Sequence, residues 1–501
     1  MTASWLRTFH QMTPEAAVVL TLVWVVLSDL FLPRNPRHLW IQSFIGLCGA
    51  TIAAILLFQV DTPAQALMPS IQWVFLSSPL TSAVKAVILL LATLSVAFAH
   101  RSFGEAERNA GEFYALILFS TLGALLCVSS QDLLMFFVSF ELLSLPLYML
   151  CAFRRYHSPS AEAGLKYFIN GALSSAILLY GISWMYGSLG TTHLPTIAMR
   201  YAELEHAPAG LYLGCLMILA GLAFKVAAAP FHNWAPDVYS GAPPAVSVFL
   251  STAPKVAMVG FIVRLFWGFL DGSGLYFQLG TDWVFIFVIL SVVSMFVGNL
   301  SALPQTDVRK ILAYSGIAQI GYLFLGLAAC SQANPHPDKA LAAVLFYVTV
   351  YGISNLGAWA VLTVVGRERE NLDFSSLKGL HQRNPLLAAC LALCLMSLAG
   401  VPPLSGFTGK FYLFRAIYES KLPFLVVLGI LNSVISLFYY FKVLKAAYFV
   451  EAEEGGPAFP VLSAAQQLAV QVCLWSNLVL GLWPGLIREF DRVASTLTQG
   501  N

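Results

Sequence analysis

Ala223–Pro244 reads AFKVAAAPFHNWAPDVYSGAPP and places one lysine and four prolines directly after a long apolar run. That run, LYLGCLMILAGL, contains no charged residue, so Lys225 lies inside a hydrophobic segment. Pro230 follows five residues later and interrupts a helix, because proline has no amide hydrogen and its ring clashes with the preceding turn. In a bilayer, interrupted backbone is tolerated only where protein or a water-filled cavity satisfies its polar groups. The stretch therefore predicts a broken membrane helix with a buried amine beside the break.

The composition extends this interpretation to the whole chain. Of the 501 residues, 58% are hydrophobic and 10% are charged, whereas a soluble domain has about 25% charged residues. Apolar runs of about 20 residues, the length that spans a bilayer, recur from end to end. The sequence thus predicts an all-α polytopic membrane protein with fourteen transmembrane helices. The predicted spans are 15–33, 39–60, 78–99, 112–130, 132–153, 161–189, 210–240 (broken), 243–270, 282–303, 310–330, 339–366, 385–416 (broken), 423–449 and 463–488.

Several classes of function are excluded by what the chain carries. The net charge is +2 and the lysines and arginines are scattered, which excludes nucleic acid as a partner. The eight cysteines lie almost all in apolar runs and form no CxxC motif or Cys/His cluster with metal spacing. No phosphate loop or dinucleotide fingerprint is present, so we expect neither a cofactor nor a metal in this chain. The start MTASWLRTFHQMTPEAA lacks the features of a signal peptide, and we expect the first helix to be retained.

The loop charges predict an orientation in the membrane. Loops on the side opposite the two termini hold fourteen lysines and arginines, and the terminal side holds seven. Cytoplasmic loops carry the excess of positive charge. Both termini are therefore expected on the outer side, which is the periplasmic face of the cell inner (plasma) membrane or the lumenal face of a thylakoid membrane.

Six further cations lie within the predicted spans, where a lysine or arginine at the bilayer centre costs about 2.5 to 3.5 kcal/mol. Lys85 and Arg264 lie in the outer halves of their helices, and we expect their long stems to carry the charge to the headgroups. The other four, with the deep acid Glu141, are the candidate functional residues. These four are Lys166, Lys225, Lys255 and Lys410.

Glu141 is expected to pair with Lys225. It lies nine residues after Asp132, about 13 Å deeper along the helix at 1.5 Å per residue. Ser144 and Tyr148 follow at helical spacing on the same face. A buried carboxylate on its own takes up a proton, whereas one beside a lysine stays ionised and lowers the cost of both charges.

Two of the candidate lysines belong to polar stripes. Lys166 begins a stripe on the sixth span, and Lys255 ends one on the eighth. Such a stripe either lines a proton path or forms an interhelical hydrogen-bond seam. The stripes are Lys166, Asn170 and Ser174, and Ser247, Ser251 and Lys255. On the tenth and eleventh spans, polar side chains are expected to hold water between the lysines. These are Ser315, Gln319, Tyr322, Tyr347, Tyr351 and Asn355.

A second break is predicted in the twelfth span, where SLAGVPPLSGFTGKFYLF places several glycines and prolines before Lys410: Gly400, Pro402, Pro403, Gly406 and Gly409. The two breaks are five helices apart, which predicts two inverted repeats of five helices with ion sites at the breaks. The predicted units are 1–110 (helices 1–3), 111–272 (helices 4–8), 273–450 (helices 9–13) and 451–501 (a loop and helix 14). His232, in PFHNW at the first break, is either a proton carrier or a cap for the broken helix.

Four motifs in order carry a family resemblance: ELLSLPLYML, AFKVAAAPFHNWAPDVYSGAPPAVSVFLSTAPKVA, RKILAYSGIAQIGYL and SLAGVPPLSGFTGKFYLF. The chain resembles the antiporter-like membrane subunits of complex I, the NADH-quinone oxidoreductase, and among them the N type. The resemblance implies proton translocation inside a larger complex whose other subunits carry the flavin, the iron-sulfur clusters and the quinone site. It also implies neighbouring antiporter-like and small membrane subunits as partners. The residues that match the family's proton carriers are Glu141, Lys166, Lys225, Lys255 and Lys410.

One position departs from the family pattern, because many bacterial relatives have histidine where this chain has Gln319.

Two alternative functions stay open. A cation/proton antiporter of the related Mrp type would share the fold and the charge line, and would be expected to have a cluster of carboxylates for its cation. A structural membrane subunit would need no line of lysines. The electron donor of the complex, NADH, ferredoxin or another carrier, is not specified by this chain.

Overall fold

The computed structural model is all-helical over the residues that it describes, which are 8–32, 36–59, 71, 73–100, 109–204, 206, 208–270, 276–331, 334–367, 372–451 and 461–498. The membrane helices are α1 Thr13–Phe31, α2 Pro36–Gln59, α3 Pro79–Ala99, α4 Ala110–Ser129, α5 Leu133–Cys151, α6 Ser158–Leu189, α7a Ala209–Val226, α7b Trp234–Gly241, α8a Pro244–Leu250, α8b Ala253–Leu270, α9 Tyr276–Ala302, α10 Val308–Ala329, α11 Pro337–Val365, α12a Pro385–Ala399, α12b Ser405–Glu419, α13 Pro423–Tyr448 and α14 Ala464–Leu482. In these ranges thirteen segments are long and apolar enough to cross a membrane, and α12 supplies a fourteenth as two half-helices.

Short turns connect the helices, and many helices begin with residues that favour a helix start. Proline occupies one of the first two helical positions of many of them, where its missing amide hydrogen costs nothing. Asp132 caps α5 by accepting from the amides of Leu134 and Met135, and Ser463 forms a capping box with Gln466 at the start of α14. Successive helices therefore reverse direction. We call the side where α1 begins and α14 ends the terminal face, and the other side the opposite face.

The centre of the bundle consists of α8, α10 and α11. Their membrane windows are 94 to 100% buried, whereas those of α1, α2, α9, α13 and α14 are only 28 to 33% buried. The outer helices expose large apolar side chains, for example Trp24, Phe285 and Phe438, as expected for a surface that contacts lipid or neighbouring membrane subunits. The three central helices carry Lys255, Gln319 and the tyrosines of α11.

The breaks predicted in the seventh and twelfth spans are confirmed. α7a ends at Val226 with Ala227 in the left-handed region (φ 61°), and α12a ends at Ala399 with Gly400 at φ 86°. The eighth span was predicted to be continuous, and this is wrong. It divides at Ser251 and Thr252, and Pro254 follows two residues later, where proline has no amide hydrogen for the Leu250 carbonyl four residues earlier.

The expectation that Lys85 and Arg264 extend to the headgroups is also wrong. Lys85 is 4% exposed and forms an ion pair with Glu15 of α1, with 2.6 Å between Nζ and Oε1. Arg264 donates through Nη1 to the carbonyl oxygens of Val128 and Ser130 at the end of α4. Each charge finds a partner inside the protein, which removes the reason for its stem to reach the membrane surface.

Candidate functional site

Lys225 lies at the end of α7a, directly before the first break, and is 3% exposed. Its Nζ donates to Ser144 Oγ at 2.7 Å and to Tyr167 OH at 3.1 Å. The ammonium also lies over the rings of Phe140, Tyr148 and Tyr167 at 5.3 to 5.6 Å, where cation–π attraction offsets part of its desolvation. The residue is thus held by hydroxyl groups and aromatic rings.

The expected ion pair between Glu141 and Lys225 is not formed: none of the ion pairs among the described residues joins them. Ser144, one turn after Glu141, takes the direct contact with the ammonium. Glu141 Oε1 is buried without a hydrogen-bond partner. Ser144 and Tyr148 of the predicted stripe do face Lys225, the first through its hydroxyl and the second through its ring, and Glu141 forms no ion pair with the ammonium.

The broken backbone after Lys225 is satisfied by side chains from elsewhere in the bundle. Trp234 Nε1 donates to the Phe224 carbonyl at 3.1 Å, and the Ala229 amide donates to Ser294 Oγ of α9 at 3.0 Å. These contacts provide the internal partners that a break at membrane depth requires. They also fix the half-helix end that carries Lys225.

An aromatic column connects the Lys225 site to Lys255. Tyr167, which accepts from Lys225, stacks on Trp234 with ring centroids 4.4 Å apart and 13° between planes. Trp234 stacks in turn on Tyr239, with centroids 6.0 Å apart. Lys255 Nζ lies 5.7 Å from the centroid of Tyr239. The two lysines therefore contact opposite ends of one stack of three rings.

Lys255 is 2% exposed, at the start of α8b after the unpredicted break. Its Nζ donates to Tyr351 OH of α11 at 3.2 Å. The Ser251 carbonyl, freed by the break, accepts from Asn355 Nδ2 at 3.1 Å and from Tyr351 OH at 3.4 Å. A Cβ on Gly316 would lie 2.9 Å from Lys255 Nζ, so glycine at this position of α10 leaves the space that the ammonium occupies.

Gln319 connects the centre of the bundle to the second break. Its Oε1 accepts a hydrogen bond from Tyr347 OH. Its Nε2 donates to the Leu398 carbonyl at 2.9 Å and to Tyr440 OH at 3.4 Å. Ser315 shares a hydrogen bond with the same Tyr440 hydroxyl. Gln319 thus lies between the tyrosines of α11 and the end of α12a.

Lys410 is 3% exposed and reaches back from α12b to the end of α12a. Its Nζ donates to the carbonyl oxygens of Leu398 and Ala399 at 3.0 and 3.2 Å and to Ser433 Oγ at 2.9 Å. It also lies 4.4 Å from the ring centroid of Tyr322. These carbonyls lack helical partners because α12a stops there, so the ammonium caps the negative end of a half-helix. Leu398 O is shared by Lys410 and Gln319.

The second break is held by helix α14. Asn477 Oδ1 accepts from Ser354 Oγ at 2.6 Å and from Ser405 Oγ at 2.8 Å. Ser397 Oγ hydrogen-bonds to Ser354 and Ser405, which closes a network at the start of α12b. One turn further along α14, a Cβ on Gly481 would lie 2.2 Å from the Pro403 carbonyl oxygen, so the two backbones approach closely.

Two of the sequence-predicted residues lie away from this group. Lys166 has a side chain that is 42% exposed and forms ion pairs with Glu162 and Asp237, each at 2.7 Å. It therefore belongs to a charged cluster near the opposite face, because Asp237 also faces Lys310 at 3.9 Å. His232 is partly exposed, and its buried Nδ1 has no hydrogen-bond partner. The hydrogen bonds of the described residues do not join His232 to any of the lysines.

Sequence reasoning missed several residues that form this site. Tyr167, Trp234, Tyr239, Tyr440 and Ser433 were not among the candidates. An aromatic residue next to a candidate lysine or to a predicted break was the available signal, since Tyr167 follows Lys166 directly and Trp234 follows Pro230 by four residues.

The family model described as the transmembrane region of NADH:quinone oxidoreductase and the Mrp antiporter matches residues 130–436. This chain belongs to that family. The match includes Glu141 and all four candidate lysines, and it leaves α1–α4 and α14 outside.

Relatives within the NADH:quinone oxidoreductase/Mrp family cover most of the chain. NADH-quinone oxidoreductase subunit N of Moorella thermoacetica is 40% identical over 82% of this chain and 83% of its own length. NADH-quinone oxidoreductase subunit N 2 of Acidobacterium capsulatum is 39% identical over 96% of this chain and 97% of its own.

Solved structures agree with the family assignment. A chain of respiratory complex I from Thermus thermophilus is 29% identical, with a TM-score of 0.77 over 95% of this chain and 98% of that one. A chain of the Mrp complex from Dietzia sp. superposes with a TM-score of 0.82 at 21% identity, over 98% of this chain and 97% of its own. The second comparison shows the fold alone.

Proposed function

We propose that this chain is a proton-translocating membrane subunit, of the N type, in a complex of the NADH-quinone oxidoreductase class. The observation that carries the proposal is a line of three buried lysines, Lys225, Lys255 and Lys410, each on a half-helix beside a break and each held by neutral groups. Hydroxyls, aromatic rings and one amide fill the space between them. Redox chemistry belongs to other subunits of the complex.

Neutral partners suit an amine that exchanges its proton. An opposite charge in contact with an ammonium stabilises the charged form, whereas a hydroxyl stabilises it much less. The buried Lys85 and the half-exposed Lys166 have carboxylates at 2.6 and 2.7 Å, and the three lysines of the line have none within 4 Å among the described residues. We therefore assign exchange to the line, and a fixed charge to Lys85.

The hydrogen bonds also indicate which neighbours pass a proton onward. A carbonyl oxygen accepts a hydrogen bond but has no proton to give, whereas a hydroxyl does both. Lys410 contacts two carbonyls and one hydroxyl, that of Ser433. Ser433 lies 3.3 Å from Tyr322 OH, so the proton leaves Lys410 through Ser433. Gln319 orients its neighbours but does not carry a proton, because its side chain is an uncharged amide. We therefore assign the step between Tyr351 and Tyr347 to ordered water.

Glu141 is proposed to control the protonation of Lys225. It lies on α5, one helical turn before Ser144, which contacts the Lys225 ammonium. Its neighbours on α5, Val138 and Leu145, are 58% and 45% exposed. The carboxylate therefore lies at the border of a surface that an adjacent membrane subunit would cover. Movement of Glu141 toward Lys225 would stabilise the charged amine, and movement away would favour release of its proton.

The wider arrangement is part of the same proposal. Helices α4–α8 and α9–α13 act as two inverted repeats, and the lysine line crosses from one to the other. The terminal face is the periplasmic or lumenal side, on the two-to-one charge excess in the loops. Lys166 and His232 are proposed to serve proton entry from the opposite face, where Lys166 meets Asp237.

The experiment is a comparison of two variants in the assembled complex, reconstituted in sealed vesicles. Lys255→Met removes the central amine while keeping an unbranched side chain of similar length. Lys442→Met is the control, since that lysine contacts only the Leu303 carbonyl at the exposed end of α13. We expect Lys255→Met to abolish proton translocation and Lys442→Met to leave it unchanged. Equal translocation by both would refute the proposal.

The Mrp-like fold favours cation/proton antiport as a second candidate, because that superposition is as close as the one with complex I. Purification of the chain from its native membrane separates the two. Co-purification with flavin and iron-sulfur subunits supports the first proposal. Sodium-dependent proton movement without such subunits would support antiport.

A further inference from the structure

A second group of buried polar residues lies in the N-terminal helices, outside the range of the family model. Glu15, in the first turn of α1, holds Lys85 of α3 with 2.6 Å between its Oε1 and Nζ, and both side chains are 6% exposed. The lysine line does not reach this ion pair, since none of the hydrogen bonds of Lys225, Lys255 or Lys410 involves α1 or α3.

Three polar atoms at this end of the chain are buried and unpartnered. Glu15 Oε2, the oxygen that does not face Lys85, has no hydrogen-bond partner. Gln11, four residues earlier in the chain and just before the N-cap residue Met12, is 2% exposed, and neither its Oε1 nor its Nε2 is bonded. Buried groups of this kind are normally satisfied by protein or by ordered water. A mixed set of one donor and two acceptors is what a small cluster of water molecules pairs with.

We propose that Gln11, Glu15 and Lys85 enclose a hydrated proton-binding site near the terminal face, separate from the lysine line. The ammonium of Lys85 holds Oε1 and stays charged, and it keeps Glu15 ionised until acid at the terminal face supplies a proton. A proton arriving along the water cluster binds to a lone pair of Oε2 and forms a neutral carboxyl group, which then donates to water or to Gln11 Oε1. When the proton returns to the water cluster, the carboxylate forms again, so no other reactant is needed.

The position of the site favours exchange with the terminal face. Gln11 and Glu15 lie within the first turns of the chain's helical part, and Lys85 is the seventh residue of α3, which starts at the same face. Other charged groups at this end of the packed helices have their own surroundings. Arg264 is held by the Val128 and Ser130 carbonyls. Lys339 and Asp491 line a different cavity of about 420 Å³ with Arg415, Glu419 and Arg488.

The test uses the intact complex and does not depend on proton pumping or quinone reduction, so its failure is distinct from failure of the proposed function. A high-resolution map of the complex is expected to show ordered water within hydrogen-bond distance of Glu15 Oε2 and of the Gln11 amide. Infrared difference spectra recorded between acid and neutral pH are expected to contain a carboxylic acid band that is lost in Glu15→Gln.

Two further variants keep the test decisive. Gln11→Leu keeps the ion pair, and it is expected to remove ordered water and shift the band without removing it. Thr93→Val is the matched control, because that buried hydroxyl of α3 bonds only to Leu89 O and Thr51, and its spectrum is expected to equal that of the wild type. A map with a direct Gln11–Glu15 hydrogen bond and no water would overturn the proposal. So would a band that persists in Glu15→Gln.

Discussion

Replacing Lys410 by methionine separates the role of the buried lysines in proton translocation from their contribution to stability. A Cβ added to Gly400 would lie 3.0 Å from Lys410 Cδ, so the lysine stem fills the space beside this glycine, and a methionine stem keeps that space filled. Loss of the ammonium leaves the Ala399 carbonyl unpartnered, whereas Leu398 O keeps Gln319. One unpaired buried carbonyl costs about 1 to 3 kcal/mol. Removing a lysine from membrane depth recovers about 2.5 to 3.5 kcal/mol on insertion scales.

The two terms oppose each other, so the stability of Lys410→Met is expected to stay within about 2 kcal/mol of the wild type. Lys85→Met is the contrasting variant. It removes the ion-pair partner of the buried Glu15 carboxylate, and breaking a buried ion pair in this way costs about 3 to 5 kcal/mol. Lys410→Met is therefore expected to assemble normally and to lose proton translocation, while Lys85→Met is expected to assemble poorly.

The assay measures three quantities on membranes from each variant: the amount of assembled complex, the temperature at which the complex loses this subunit, and the protons moved per quinone reduced. A Lys410→Met complex that is destabilised as much as Lys85→Met would refute the energetic reasoning. One that translocates protons at the wild-type ratio would refute the role given to Lys410.

Other variants test individual contacts of the account. Tyr167→Phe removes one of the two hydrogen bonds of Lys225 while keeping the aromatic stack, and proton translocation is expected to slow with assembly intact, as vesicle assays would show. Asn477→Leu leaves two buried hydroxyls, including that of Ser405, without their shared acceptor, for a loss of about 2 to 6 kcal/mol at 1 to 3 per group, measured as the temperature of subunit loss. Asp373 caps a 3₁₀ turn, and the Ser375 hydroxyl, which donates to the Asp373 carboxylate, lowers the pKa of that carboxyl. The stabilisation by Asp373 is therefore complete above the ordinary pKa of 3.8 and is lost as the pH falls through the lowered pKa. Hydrogen exchange at the Ser376 amide is expected to rise over that pH range, and to be fast at all pH values in Asp373→Ala.

Hydropathy and proline placement predicted most of the fold. Membrane spans are visible in the sequence because each must bury about 20 apolar residues, and the breaks at Pro230 and at Pro402–Pro403 are visible because proline cannot continue a helix. The break in α8 carries a similar signal, since Pro254 removes the amide that would bond to Leu250 O, and the predicted span did not take it into account. The break is stabilised by Asn355 and Tyr351, which come from a helix about 100 residues away.

The site was predictable in its lysines and not in their partners. A charge inside an apolar span is a local signal, so Lys225, Lys255 and Lys410 could be selected from the sequence. The groups that hold them are distant along the chain: Ser144 lies 81 residues from Lys225, and Tyr351 lies 96 from Lys255. Charge alone suggested Glu141 as the partner of Lys225, but the packing of α5 against α7a gives that contact to Ser144.

Proton translocation by the assembled complex bearing Lys225→Ala, recorded together with quinone reduction in the same vesicles, tests the central claim most directly. The lysine line predicts that both are lost together, because an amine that must change its charge in each cycle cannot be bypassed in a tightly coupled pump. Full retention of both would contradict the account and would make the three buried lysines structural.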